Sequence, residues 1–93
     1  MYPIVDMVEN QTIAAVQREE DLKQVLESSV NIVFLLTGSI FDIRDLVARV
    51  KESGKHVFIH MEFIEGIAAD RSGVAYVAKH VQPTGIISTK SNL

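Results

Sequence analysis

Residues 56–66 read HVFIHMEFIEG, and residues 83–91 read PTGIISTKS. In each, an apolar run of β-compatible residues gives way to polar and charged side chains. Each looks like a buried strand that delivers functional groups at its C-terminal end. A helical pattern precedes each run, and that pairing of helix and apolar strand sets the reading of the whole chain.

The same unit recurs on the N-terminal side. Residues 12–17, TIAAVQ, form a short β-compatible run. Residues 19–29 then place Leu22, Val25, Leu26 and Ser29 on one helical face. Glu19, Glu20 and Asp21 crowd the first turn, where the helix dipole favours negative charge. Residues 31–36, NIVFLL, are apolar without alternation, as in a strand covered on both faces. Thr37-Gly38-Ser39 turns the chain, and Ser39 with Asp42 matches a capping box. Ile40, Ile43, Leu46, Val47 and Val50 follow at helical spacing, and Gly54 suits the left-handed position after the last turn. The third strand is expected over residues 57–63, stopped by Glu65-Gly66. Asp70 or Ser72 then caps a helix with a buried face of Val74, Val77, Ala78 and Val81. Pro83 ends that helix, and residues 85–89 make the fourth strand.

The pattern is β-α-β-α-β-α-β, preceded by an extended lead-in over residues 1–11. Apolar strands separated by helices imply right-handed crossovers and parallel strands, hence an α/β fold. At this length an open four-stranded sheet and half of a TIM (β/α)8 barrel read alike. Ninety-three residues make a single domain, and 47% apolar content excludes disorder. There is no cysteine, no secretory leader pattern and no apolar run near the roughly 18 residues that span a bilayer. A cytoplasmic location without membrane attachment is expected. The net charge of −3 lacks the basic surplus usual for phosphate-gripping nucleic-acid binders, so any RNA contact needs a local patch.

Parallel α/β folds bind ligands at the C-terminal ends of their strands. Gln17 and Arg18, Thr37 to Ser39, His60 and Glu62, and Ser88 to Asn92 therefore come into view. His60 and Glu62 lie two apart and, in a strand, project to one face. They read either as a ligand-orienting pair or as a polar pair satisfying itself. Thr89, Lys90 and Ser91 offer hydroxyls, amides and an ammonium that suit an anion, although a solvated loop lysine explains them too. Thr37-Gly38-Ser39 fits capping better than anion binding. Arg44, Arg49, Lys51 and Lys55 could touch RNA phosphates, but Asp42, Asp45 and Glu52 interleave with them, which fits a solvated, ion-paired face better. The histidines lack metal-site spacing, and no phosphate or dinucleotide glycine motif is present. Neither a metal nor a cofactor is expected.

At His60-Met61-Glu62-Phe63-Ile64-Glu65-Gly66-Ile67 and at Pro83-Thr84-Gly85-Ile86-Ile87-Ser88-Thr89-Lys90-Ser91-Asn92, the chain resembles the glycerol-3-phosphate-responsive antiterminators of bacteria. Asn10-Gln11, Ile13-Ala14-Ala15, Asp21-Leu22 and Gly54-Lys55 are similar as well. One departure stands out: Glu62 occupies a position where the family is expected to carry aspartate. The resemblance covers residues 10–93 and the first half of the family's chain. It implies a β/α-barrel regulator that senses glycerol 3-phosphate and binds the leader of a glycerol operon's messenger RNA. It also implies a ligand site including His60, Glu62, Thr89 and Lys90, with no catalytic residue and no assigned RNA contacts. Four strands of an eight-stranded barrel have two open edges, so a further half or a second copy is expected to close it. A barrel enzyme acting on a small phosphorylated metabolite, with His60 as acid or base, is the alternative, as is an inactive half-barrel.

Overall fold

Four parallel strands, β1 (Ile13–Val16), β2 (Ile32–Leu35), β3 (His56–His60) and β4 (Gly85–Ile87), form one sheet in the order β1-β2-β3-β4. The computed structural model describes residues 11–89. The expected lead-in therefore lies outside the described residues, except for Gln11. Doubly wound sheets reverse their strand order at a switch point, whereas here every strand lies beside its successor. This is the order of a β/α-barrel wall.

Three helices make the crossovers. They are α1 (Leu22–Leu26), entered through a 3-10 turn at Glu19–Asp21, α2 (Ile43–Glu52), and α3 (Arg71–Tyr76), which continues into a π-helical turn at Val77–Val81. Val33 and Leu35 of β2 and Val57 and Ile59 of β3 meet Leu22, Ile43, Leu46, Val47, Val50 and Val77 in one fully buried cluster. Burying each such side chain stabilises the fold by about 1.5–3 kcal/mol. On the opposite face of the sheet, Ile32 and Phe34 are half-buried, so β2 is covered less evenly than its apolar run suggests. The Phe34 and Phe58 ring centroids lie 5.3 Å apart there.

The element ends depart from the periodicity for local reasons. The first helix stops at Leu26, because Ser28 Oγ donates to the Val25 carbonyl at 2.6 Å and accepts from Val30 N. Its hydroxyl replaces the next helical bond, and Ser29 is exposed rather than on the buried face. The second helix starts at Ile43 rather than Ile40. Ser39 instead pairs with Glu65 as a parallel bridge, and Ile40 N donates to the Glu65 carbonyl at 2.8 Å. Ile40 consequently remains exposed. The third strand ends at His60, and Met61–Phe63 form a 3-10 turn where strand was expected. Asp70 is the cap of α3, its carboxylate accepting from Gly73 N at 2.8 Å. Val77 and Val81 are buried as expected, but Ala78 is exposed. The i→i+5 bond from Gln82 N to the Val77 carbonyl widens this turn, which leaves Val77 and Val81 inward and rotates Ala78 away.

Gly54 does end α2 as read. With φ +84° it allows its own amide to reach Lys51 O and the Lys55 amide to reach Val50 O, a Schellman closure. The N-terminal edge of the sheet is laced together. Asn31 Oδ1 accepts from Thr12 N, Lys55 Nζ donates to the Ser28 and Val30 carbonyls at 2.8 and 2.7 Å, and Thr84 Oγ1 accepts from Val57 N at 2.9 Å.

Gly73 is required by close approach. A Cβ placed there would sit 1.8 Å from the Ala68 carbonyl oxygen, with backbone on both sides of the clash. Gly73→Ala should therefore cost more than about 2 kcal/mol, at the upper range of overpacking. Gly54→Ala meets open space and should cost only about 1–2 kcal/mol for its left-handed backbone. Equilibrium urea denaturation of both variants checks this order, and equal losses would contradict it.

Candidate functional site

The register of β3 against β4 builds the site. His60 stands opposite Ile87, and both chains leave the sheet side by side. Two residues farther on, Glu62 and Thr89 again come together. Met61 and Ile64 turn inward and are buried, which anchors the 3-10 turn and leaves Glu62 and Phe63 on its outer side. Glu62 and His60 thus come together through a turn, not through strand alternation.

The Glu62 carboxylate bridges the two exits. Its Oε2 accepts from Ser88 Oγ at 2.8 Å, from Thr89 N at 3.1 Å and from Thr89 Oγ1 at 3.2 Å. Its Oε1 lies 3.0 Å from His60 Nδ1. That distance is an ion-pair distance, but the approach is misaligned for a hydrogen bond, and Nδ1 is buried without one. The Phe63 ring meets the imidazole edge-on, with centroids 5.0 Å apart. The Ser88 hydroxyl holds the Glu62 carboxyl below the usual glutamate range. Partial burial pushes it the other way, and the Thr89 amide and hydroxyl add to the lowering.

Three of the four residues read from the sequence thus gather in one place: His60, Glu62 and Thr89. Lys90 lies outside the described residues. Ser88 was in view only as part of a strand-end run, yet it makes the shortest bond to Glu62. Phe63 was read as strand. Its signal was weak, since an aromatic three residues after a histidine fits a turn or a strand equally well.

A cavity of about 270 Å³ lies beside this cluster, lined by Phe63 with Leu36, Thr37, Gly38, Ser39, Asp42 and Glu65. Here capping prevails over anion binding. Ser39 N donates to Asp42 Oδ1 at 2.7 Å, Phe41 N donates to Ser39 Oγ at 3.1 Å, and the Asp42 and Glu65 carboxylates line the wall. The expected ion-paired face on α2 takes a different form. Lys51 Nζ donates to the Gln82 carbonyl, and Lys55 binds carbonyls as described, so these ammonium groups tie backbone segments together. Among the described residues, no three potential ligand side chains gather to hold a metal ion, and no helix is long and apolar enough to cross a membrane.

The family described as "Glycerol-3-phosphate responsive antiterminator" matches residues 12–93. The chain belongs to this antiterminator family. The uncharacterized protein YgcP of Escherichia coli K12 is 31% identical over 85 residues, which is 91% of this chain and 44% of that protein. The crystal structure of a glycerol uptake operon antiterminator regulatory protein from Listeria monocytogenes matches with a TM-score of 0.85 at 27% identity. That match covers 91% of this chain and 46% of the other. A glycerol uptake operon antiterminator-related protein from Thermotoga maritima matches with a TM-score of 0.73 at 28% identity, over 86% and 44% of the respective chains. The antiterminator-family chain thus spans less than half the length of these relatives.

The lowered Glu62 pKa fixes the sign of a pH effect. The bonds to Ser88 and Thr89 stabilise the fold fully above the ordinary glutamate pKa. That contribution disappears as pH falls through the lowered folded value. Melting temperature should therefore fall more steeply on acidification in the wild type than in Glu62→Gln. Parallel pH profiles from calorimetry would show that the bridge adds nothing.

Proposed function

We propose that this chain supplies the effector site of a regulator that antiterminates transcription in response to glycerol 3-phosphate, acting on the leader mRNA of a glycerol operon. The observation that carries the reading is the four-residue bridge from His60 through Glu62 to Ser88 and Thr89. It sits at the C-terminal ends of adjacent parallel strands in a chain of the antiterminator family. Strand ends of this kind place polar groups around a shared opening. Thr89 and Lys90 face the phosphate, with Lys90 as its counter-charge. Glu62, oriented by His60, accepts hydrogen bonds from the glycerol hydroxyls. The role is regulatory and not catalytic, and it is exercised in the cytoplasm. The overall charge of −3 opposes RNA, so the RNA contact depends on a local basic surface.

Thermal melting tests the ligand assignment. Glycerol 3-phosphate at ten times its dissociation constant should raise the melting temperature by roughly 5–10 °C. Inorganic phosphate and glycerol at the same concentration should raise it less. Lys90→Ala should leave the ligand-free melt unchanged and reduce the shift by at least half. A cooperative melt that ignores the ester, or that responds equally to inorganic phosphate, would refute the assignment.

A further inference from the structure

Ser88 Oγ, Thr89 N and Thr89 Oγ1 converge on a single oxygen, Glu62 Oε2, at 2.8, 3.1 and 3.2 Å. We propose that these donors form an oxyanion site for a phosphate monoester, and that Glu62, which meets them in this structure, is an internal stand-in which the phosphate displaces.

Three features carry this. The first is the donor set. Two hydroxyls and a backbone amide all point at one anionic oxygen, which is how protein loops hold a phosphoryl oxygen. Three donors from two successive residues thus converge on a single carboxylate oxygen. The second is accessibility. Thr89 is exposed and the Glu62 side chain keeps 25% of its surface in water, so a solute reaches the cluster without opening the fold. The third is the neighbouring imidazole. His60 Nδ1 is buried without a hydrogen bond although Glu62 Oε1 is only 3.0 Å away. While Oε2 is held by Ser88 and Thr89, the carboxylate cannot turn to align with it. Once released, it can satisfy Nδ1 and withdraw its charge from the incoming dianion. The carboxylate therefore has two alternative sets of partners, one on each strand exit.

This rests on the glycerol 3-phosphate reading and deepens it. An anion entering at Ser88–Thr89 moves Glu62 from β4 to His60 on β3, so occupancy of the site is reported as a changed connection between the two strand exits. Glu62 in its second position is free to accept the hydroxyls of the same ligand.

Phosphate binding by the full 93-residue chain tests this, measured by titration calorimetry and by the amide resonance of Thr89. Inorganic phosphate should bind Glu62→Gln and Glu62→Ala about tenfold more tightly than wild type, because the like charge is gone in both and the occupant itself in Glu62→Ala. In both variants the Thr89 amide should shift without ligand and shift again on phosphate addition. Ser88→Ala combined with Thr89→Val in the Glu62→Gln background should abolish the gain. Unchanged or weaker phosphate binding in both Glu62 variants overturns the proposal, as does a gain that survives loss of the hydroxyls. The parent reading fails separately. If wild type prefers glycerol 3-phosphate over inorganic phosphate but the Glu62 variants gain nothing, the effector assignment stands and the displacement falls. If the variants gain phosphate affinity but no protein distinguishes the ester from inorganic phosphate, the oxyanion site stands and the effector assignment falls.

Discussion

All four strands point the same way, and parallel strands cannot be joined by a tight hairpin. Each must be returned by a crossover whose apolar face needs burial. With the strands in sequential order, right-handed crossovers put the helices on one side of the sheet. The core forms there, from Val33, Leu35, Val57 and Ile59 against α2 and the π-helical turn after α3. Parallel strands also send every strand exit to the same edge. The polar ends of β3 and β4 are neighbours because these two strands lie side by side.

At that edge the backbone ladder runs out and side chains take over. Beyond the His60–Ile87 pair, Glu62 continues the connection by accepting from the main chain and hydroxyls of the opposite exit. A carboxylate suits this role because its two oxygens can serve two partners. Its side chain also has the reach to touch His60 and Thr89 together. Burial of Met61 and Ile64 on either side holds the turn that aims it. The site thus inherits its geometry from packing below it, while its own polar bonds stay accessible to water.

Much of this was legible in the residues, and the exceptions have physical causes. Apolar runs and helical spacing located all four strands and all three helices, and Gly54 and Asp70 ended and began helices as their chemistry suggests. Strand order was not legible, because periodicity describes single elements and not their neighbours. Ile40 looked like a helical core residue, but the pairing of Ser39 with Glu65 captures its amide, and that competition spans 26 positions of sequence. Ala78 failed for a subtler reason, since one wider turn changes which side chain faces inward without changing composition. In the site, His60, Glu62 and Thr89 were visible as polar residues closing apolar runs. The contact between Glu62 and Ser88 depends on register, which only the assembled sheet defines.

The two edges of the sheet are held by different means. The N-terminal edge is fixed by Lys55, Asn31, Thr12 and Thr84, each bonded to main chain. The C-terminal edge is closed between β3 and β4 by one exposed carboxylate. This division sets where the sheet tolerates change. Substitutions along the laced edge leave main-chain groups without partners, whereas those around Glu62 remove bonds that water can replace. The sheet therefore carries its rigid rim at one end and its adjustable rim at the other.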